Sequence, residues 1–143
     1  MHLTLAFLGE ISEKRVPDII QSMKDAANGN TSYVMRLEGL GKFVNHKESL
    51  YWCGVRKNAI LSRLQYSLVA NLKERGIHVD DKPFKPHITL GRRCIMQASF
   101  DERAFSQSIS PIELKVDTIH LMRSDQIHGK VVYTSLGEVE LKY

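Results

Sequence analysis

The order of apolar and polar residues predicts a succession of strands and helices along the chain. Over residues 1–9 apolar and polar side chains alternate, which is the period of a strand with one buried face. Apolar residues recur every three or four positions over residues 16–27 and 58–76, the spacing of an amphipathic helix. The second helix is expected to end at Gly76, because glycine commonly closes a helix in the left-handed conformation.

The remaining pattern is mainly that of strands. Two runs rich in Tyr, Val, Leu and Trp, over residues 32–40 and 49–55, predict a hairpin. A strand over residues 87–92 repeats the alternation of the first strand. A short helix over residues 101–107 and strands over residues 112–116, 118–122 and 131–136 complete the prediction. No linker or low-complexity tract interrupts the pattern, so one domain is expected over residues 1–143.

The composition indicates the class of protein but does not identify a ligand. The 143 residues are 43% hydrophobic and 25% charged, as in a globular protein, and the formal net charge of +4 permits an anionic partner such as RNA without selecting one. Cys53 and Cys94 lie in apolar stretches and are too few for a disulfide scaffold, which favours a reducing compartment. Without a signal-peptide layout or a run of about 18 apolar residues, we expect a soluble, cytoplasmic protein that does not enter the membrane.

A motif that occurs twice is the feature of the sequence that indicates a catalytic function. The pattern His-x-Thr-Leu occurs at residues 2–5 and again at residues 87–90. Side chains two positions apart on a strand share a face, so each histidine projects together with its threonine. A single such pair is ordinarily a surface feature, but two copies favour function, because histidine is not typical of strands. If two halves of the molecule pack as pseudo-twofold mates, the two pairs converge on one cleft.

Two convergent imidazoles suit the cleavage of a phosphodiester. One histidine takes a proton from the attacking water and the other gives a proton to the departing oxygen, and imidazole titrates in the range that both steps require. The hydroxyls of Thr4 and Thr89 can donate hydrogen bonds to non-bridging phosphate oxygens. Arg92, two residues after the second motif, can add a charge-assisted contact to the same anion.

Residues 2–9 and 84–92 resemble the two motifs of the two-histidine (2H) phosphoesterases, and within them the RNA 2′,3′-cyclic phosphodiesterases, also named 2′-5′ RNA ligases. The similarity continues through residues 50–54, the second helix and residues 121–124. It implies a bilobal α+β fold in which two antiparallel sheets flank a central cleft and the helices lie outside. It also implies that His2 donates the proton to the leaving 3′ oxygen and that His87 activates water.

The resemblance implies hydrolysis of an RNA 2′,3′-cyclic phosphate to a 2′-phosphate end, with reversible 2′-5′ ligation as a companion reaction, and no metal or nucleotide cofactor. Two alternatives stay open: a phosphodiesterase acting on another cyclic phosphate or on a 2′-5′ linkage, and a module that binds RNA ends without catalysis. Members of this family usually carry a strand and a helix before the first motif. Here that motif begins at residue 2, so we expect a domain that lacks them and is less active than a form that carries them. We expect the protein to be a monomer.

Several other side chains are candidates for supporting roles. A terminal base can stack on an aromatic ring, and Phe84 is the aromatic residue nearest the second motif, so it is predicted to bind substrate. The other aromatic candidates are Tyr33, Phe43 and Trp52. The remaining histidines show no metal-ligand spacing and are expected to be structural or solvated: His46, His78, His120 and His128.

Overall fold

The computed structural model describes residues 1–142, in which three α-helices and six strands form an α+β fold with two antiparallel sheets, as expected. In chain order the elements are a 3₁₀ turn at Glu13–Arg15, α1 at Val16–Asn28, β1 at Tyr33–Asn45, β2 at Glu48–Val55, α2 at Ala59–Glu74, β3 at His87–Cys94, α3 at Glu102–Ser108, β4 at Ile112–Val116, β5 at Thr118–Ile127 and β6 at Lys130–Glu140. The chain divides into two compact units, each assembled from three separate segments.

The first unit holds a four-stranded sheet in the order β3-β2-β1-β4 and consists of Met1–Leu5, Val34–Asn58 and Lys82–Lys115. In its register Trp52 lies between Gly41 on β1 and Thr89 on β3, so these three positions share one face. Tyr51 and Cys53 project to the opposite face and are buried. Burial raises the pKa of the Cys53 thiol, so Cys53 remains a small neutral apolar side chain, as the sequence predicts.

Helix α3 lies against this opposite face. Asp101 caps the helix, its carboxylate accepting a hydrogen bond from the backbone N–H of Ala104 at 3.0 Å. The backbone N–H of Leu40 donates to the Ser106 hydroxyl at 3.2 Å. The face that carries Trp52 and Thr89 therefore lies on the other side of the sheet from the helix.

The second unit consists of Ala6–Tyr33, Ala59–Asp81 and Val116–Tyr143, and here α1 and α2 pack together beside the β5–β6 hairpin. The apolar stripe of α2 is buried as its period predicts, with Leu64 fully inaccessible to solvent. Gly76 closes α2 in the left-handed conformation, and the N–H groups of Gly76 and Ile77 donate to the carbonyls of Lys73 and Leu72. This is the helix end that the sequence predicts.

The prediction of an opening strand over residues 1–9 is wrong in its extent. In place of a continuous strand, this segment has an isolated antiparallel bridge between Leu3 and Ile88. After Leu5 the chain passes into the second unit, where the carbonyl of Phe7 accepts a hydrogen bond from the N–H of Asp80 at 3.0 Å. A side chain expected on the buried face, that of Phe7, is instead 65% exposed, because alternation alone cannot show where a segment leaves its sheet.

Among the helices described, none combines the length and the apolar character that crossing a membrane requires.

Candidate active site

A bridge between Leu3 and Ile88 brings the two His-Thr motifs onto neighbouring segments. Leu3 pairs with Ile88 in antiparallel orientation, so the same register extended by one residue sets His2 beside Thr89 and Thr4 beside His87. Neighbouring residues of an extended chain project to opposite faces, so these four side chains share the face opposite to Leu3 and Ile88. The histidines are then diagonal neighbours, a relation in which residues are typically about 7–8 Å apart.

Both motifs lie in the first compact unit, which contains residues 1–5 and 82–115. The isolated bridge joins Leu3 to Ile88, the middle residues of the two His-x-Thr motifs, in antiparallel orientation. Backbone pairing within this unit therefore brings the two motifs together. The packing of two pseudo-twofold halves stays a prediction.

His87 is held in one orientation by its own segment. It opens β3, is half-buried, and its Nδ1 lies 2.6 Å from the backbone carbonyl of Lys85. A carbonyl oxygen only accepts hydrogen bonds, so Nδ1 carries the hydrogen in this contact. In the neutral ring Nε2 then has a lone pair available for a proton. His2, in contrast, lies on the exposed opening segment and makes interactions of its own.

Aromatic rings form one border of this site. The centroid of the His87 ring lies 6.0 Å from that of Trp52 and 5.5 Å from that of Phe43, which it meets edge-on. Phe43 and Trp52 contact each other at 5.5 Å. The Trp52 ring lies directly over Gly41, in space that a Cβ atom would occupy. The sequence offered no signal that Phe43 would reach His87, because the two residues are 44 positions apart (87 − 43) on different strands.

The other predicted substrate contacts are less closely defined. A bulge separates Thr89 from Gly91, since these pair with the adjacent residues Trp52 and Tyr51. If alternation resumes after the bulge, Arg92 turns toward the face of Thr89, and its side chain is exposed. Phe84 is half-buried in the segment before β3. Its role and that of Arg92 remain predictions.

A second polar cluster lies on the opposite face of the sheet. The carboxylate of Glu102 accepts hydrogen bonds from Lys42 at 2.5 Å and Tyr51 at 2.7 Å. These contacts lower the pKa of Glu102 and raise the pKa of both partners. Because Lys42 and Tyr51 pair one register position away from Gly41 and Trp52, this cluster is separated from the two histidines by the sheet itself.

The remaining histidines belong to other segments of the chain. His46 and His128 occupy hairpin turns with positive φ angles of 55° and 50°. His120 on β5 stands 3.7 Å from the Glu138 carboxylate, and His78 follows the end of α2. Within residues 1–142 there is no group of three or more His, Cys, Asp or Glu side chains that could hold a metal ion.

Comparison with known proteins agrees with the motif resemblance. A profile of the 2′-5′ RNA ligase superfamily matches residues 1–127. A Thermotoga maritima protein named RNA 2′,3′-cyclic phosphodiesterase is 29% identical over 143 residues, covering 99% of this chain and 76% of the relative. A Thermus thermophilus protein of the same name is 32% identical over 152 residues, covering 99% and 72%. The crystal structure of E. coli LigT complexed with 3′-AMP has a TM-score of 0.75 at 25% identity, covering 99% of this chain and 76% of that chain.

Proposed function

The chain belongs to the 2′-5′ RNA ligase superfamily, and from that membership we propose that it hydrolyses RNA 2′,3′-cyclic phosphates to 2′-phosphate ends. Two relatives that align over 99% of the chain are named RNA 2′,3′-cyclic phosphodiesterases. The observation that carries the proposal is the antiparallel pairing of Leu3 with Ile88, because it sets both His-Thr pairs side by side on one face.

In the proposed reaction His87 is the general base and His2 the general acid. Nε2 of His87 takes a proton from water as the water oxygen bonds to phosphorus. The bond between phosphorus and the 3′ oxygen breaks, and His2 gives its proton to that oxygen, which leaves the phosphate on the 2′ position. The contact between Nδ1 of His87 and the Lys85 carbonyl supports this assignment, since it directs the basic nitrogen away from the backbone.

Thr4 and Thr89 are proposed to hold the phosphate between the imidazoles. Their hydroxyls donate to non-bridging oxygens without changing protonation state, and such positioning aligns the attacking and leaving oxygens. Arg92 adds positive charge near the same oxygens. None of these roles requires a metal ion. A 5′-hydroxyl in place of water would form a 2′-5′ linkage by the same proton transfers.

The proposal is tested with adenosine 2′,3′-cyclic monophosphate in the presence of EDTA, with the product separated from 2′-AMP and 3′-AMP standards. We expect 2′-AMP alone, and a loss of kcat of about 10²- to 10⁴-fold in His2→Ala and in His87→Ala, the usual contribution of acid–base catalysis. His46→Asn is the matched control, because His46 is exposed in a turn whose positive φ asparagine tolerates.

Full activity in either of the first two variants would refute the mechanism. Binding of the cyclic nucleotide without turnover by the unmodified protein would instead favour a module that recognises RNA ends. A 3′-phosphate product would reverse the assignment of the leaving oxygen.

A further inference from the structure

Phe43 is the aromatic side chain that borders His87 and still faces solvent. It lies on β1, and its ring centroid is 5.5 Å from those of both His87 and Trp52. Its side chain is 41% exposed. A large apolar ring exposed beside polar groups that bind a ligand is a common feature of binding sites.

The other aromatic candidates are already used in packing. Tyr33 belongs to the second unit and is only 8% exposed. Trp52 packs against Gly41, and among residues 1–142 its buried indole nitrogen has no hydrogen-bond partner. Of the three rings that meet at this border, Phe43 is therefore the most exposed to a ligand, since Trp52 and His87 are half-buried.

We propose that the base of the terminal nucleotide stacks on the ring of Phe43. This stacking contact would give nucleoside 2′,3′-cyclic phosphates a higher affinity than base-free cyclic phosphates. This inference rests on the proposed function. The base and the 2′,3′-cyclic phosphate are attached to the same ribose, so a phosphate held between His2 and His87 keeps the base within reach of the adjacent ring. Stacking on a phenyl ring is tolerant of base identity because every base has a π-face.

Contacts with the rings of Trp52 and His87 hold Phe43 in place and so suit it to this role. Trp52 contacts the ring at an interplanar angle of 38° and is itself packed against Gly41. His87 meets the ring edge-on at 85°. A ring fixed on two sides loses little conformational freedom when a base covers the third, which favours binding.

The test compares two substrates in Phe43→Ala: adenosine 2′,3′-cyclic monophosphate, and 1-O-methylribofuranose 2,3-cyclic phosphate, which has no base. We expect KM to rise by about 5- to 100-fold for the adenosine compound, the usual effect of losing one stacking contact. The base-free compound should show unchanged KM and kcat. Phe43→Tyr should restore the KM for the adenosine compound, because a phenol ring also stacks.

Phe105→Ala is the matched control, since Phe105 is 45% exposed but belongs to α3 on the other side of the sheet. Equal losses for both substrates would overturn the proposal, because Phe43 would then act only by positioning His87. No loss for either would overturn it as well.

A binding measurement separates this inference from the proposed reaction. Trp52 is the only tryptophan of the chain and contacts Phe43, so its fluorescence reports on ligands at this ring. If the protein hydrolyses neither compound but 2′-AMP still binds at least fivefold more tightly to the unmodified protein than to Phe43→Ala, the proposed reaction is refuted and base stacking on Phe43 is supported. Equal binding of 2′-AMP to both proteins would refute base stacking on Phe43.

Discussion

At the scale of single residues, Gly41 determines where the Trp52 ring lies. A Cβ at this position would overlap the indole ring. Gly41→Ala is expected to lower the free energy of unfolding by about 1–3 kcal/mol, as overpacking does in a filled site. Urea unfolding followed by the fluorescence of Trp52 measures this change.

Gly29→Ala is the control for that prediction. The nearest atom to its added Cβ would be the Ala26 carbonyl oxygen at 3.9 Å, an ordinary contact, so a change within about 0.5 kcal/mol is expected. If Gly41→Ala proves as stable as Gly29→Ala, the indole ring is not confined in the way described.

The candidate site was predictable from the sequence in part. His2 with Thr4 and His87 with Thr89 emerge from a repeated motif, which needs no knowledge of the fold. Phe43 was one of several aromatic candidates, but the sequence could not single it out, because its proximity to His87 depends on the register of three strands. Phe84, the aromatic residue nearest the second motif in sequence, stays a prediction.

At the scale of elements, periodicity predicted the helices better than the strands. A stripe such as that of α2 is repeated over four turns, and its burial follows from geometry. Strand ends depend on partners elsewhere in the chain, so β1, β5 and β6 extend beyond the predicted ranges. The opening segment shows the opposite error, since it alternates over residues 1–9 but forms an isolated bridge at Leu3 and no continuous strand.

The turn between β5 and β6 offers a test at this scale. His128 and Gly129 both have positive φ, 50° and 74°, as in the two-residue turns that favour Asn-Gly. His128→Asn is therefore expected to raise the free energy of unfolding by about 0.5–1 kcal/mol, because asparagine adopts this conformation more readily.

Thermal unfolding and urea titration measure the effect of the turn substitution. His120→Asn, at an exposed position within β5, is the control and should give no stabilisation. A loss of stability in His128→Asn would show that the histidine makes a contact that outweighs its backbone strain.

At the scale of the whole molecule, the sequence indicated the fold class through family resemblance, and the two antiparallel sheets confirm it. It did not indicate how the segments are distributed. Each compact unit is assembled from three segments that are separated in sequence, an arrangement that local patterns cannot encode because they extend over only a few residues. The placement of both histidines in one unit follows from this distribution.

The central claim is that His2 and His87 share one phosphate, and the most direct test is histidine NMR. 2′-AMP would be titrated into the protein while the ring Hε1 signals of the six histidines are followed, with assignments taken from His2→Ala and His87→Ala. Two signals, those of His2 and His87, should shift with a single common Kd while the other four stay in place. If only one of the two responds, or if they respond with different Kd values, the shared phosphate site does not exist.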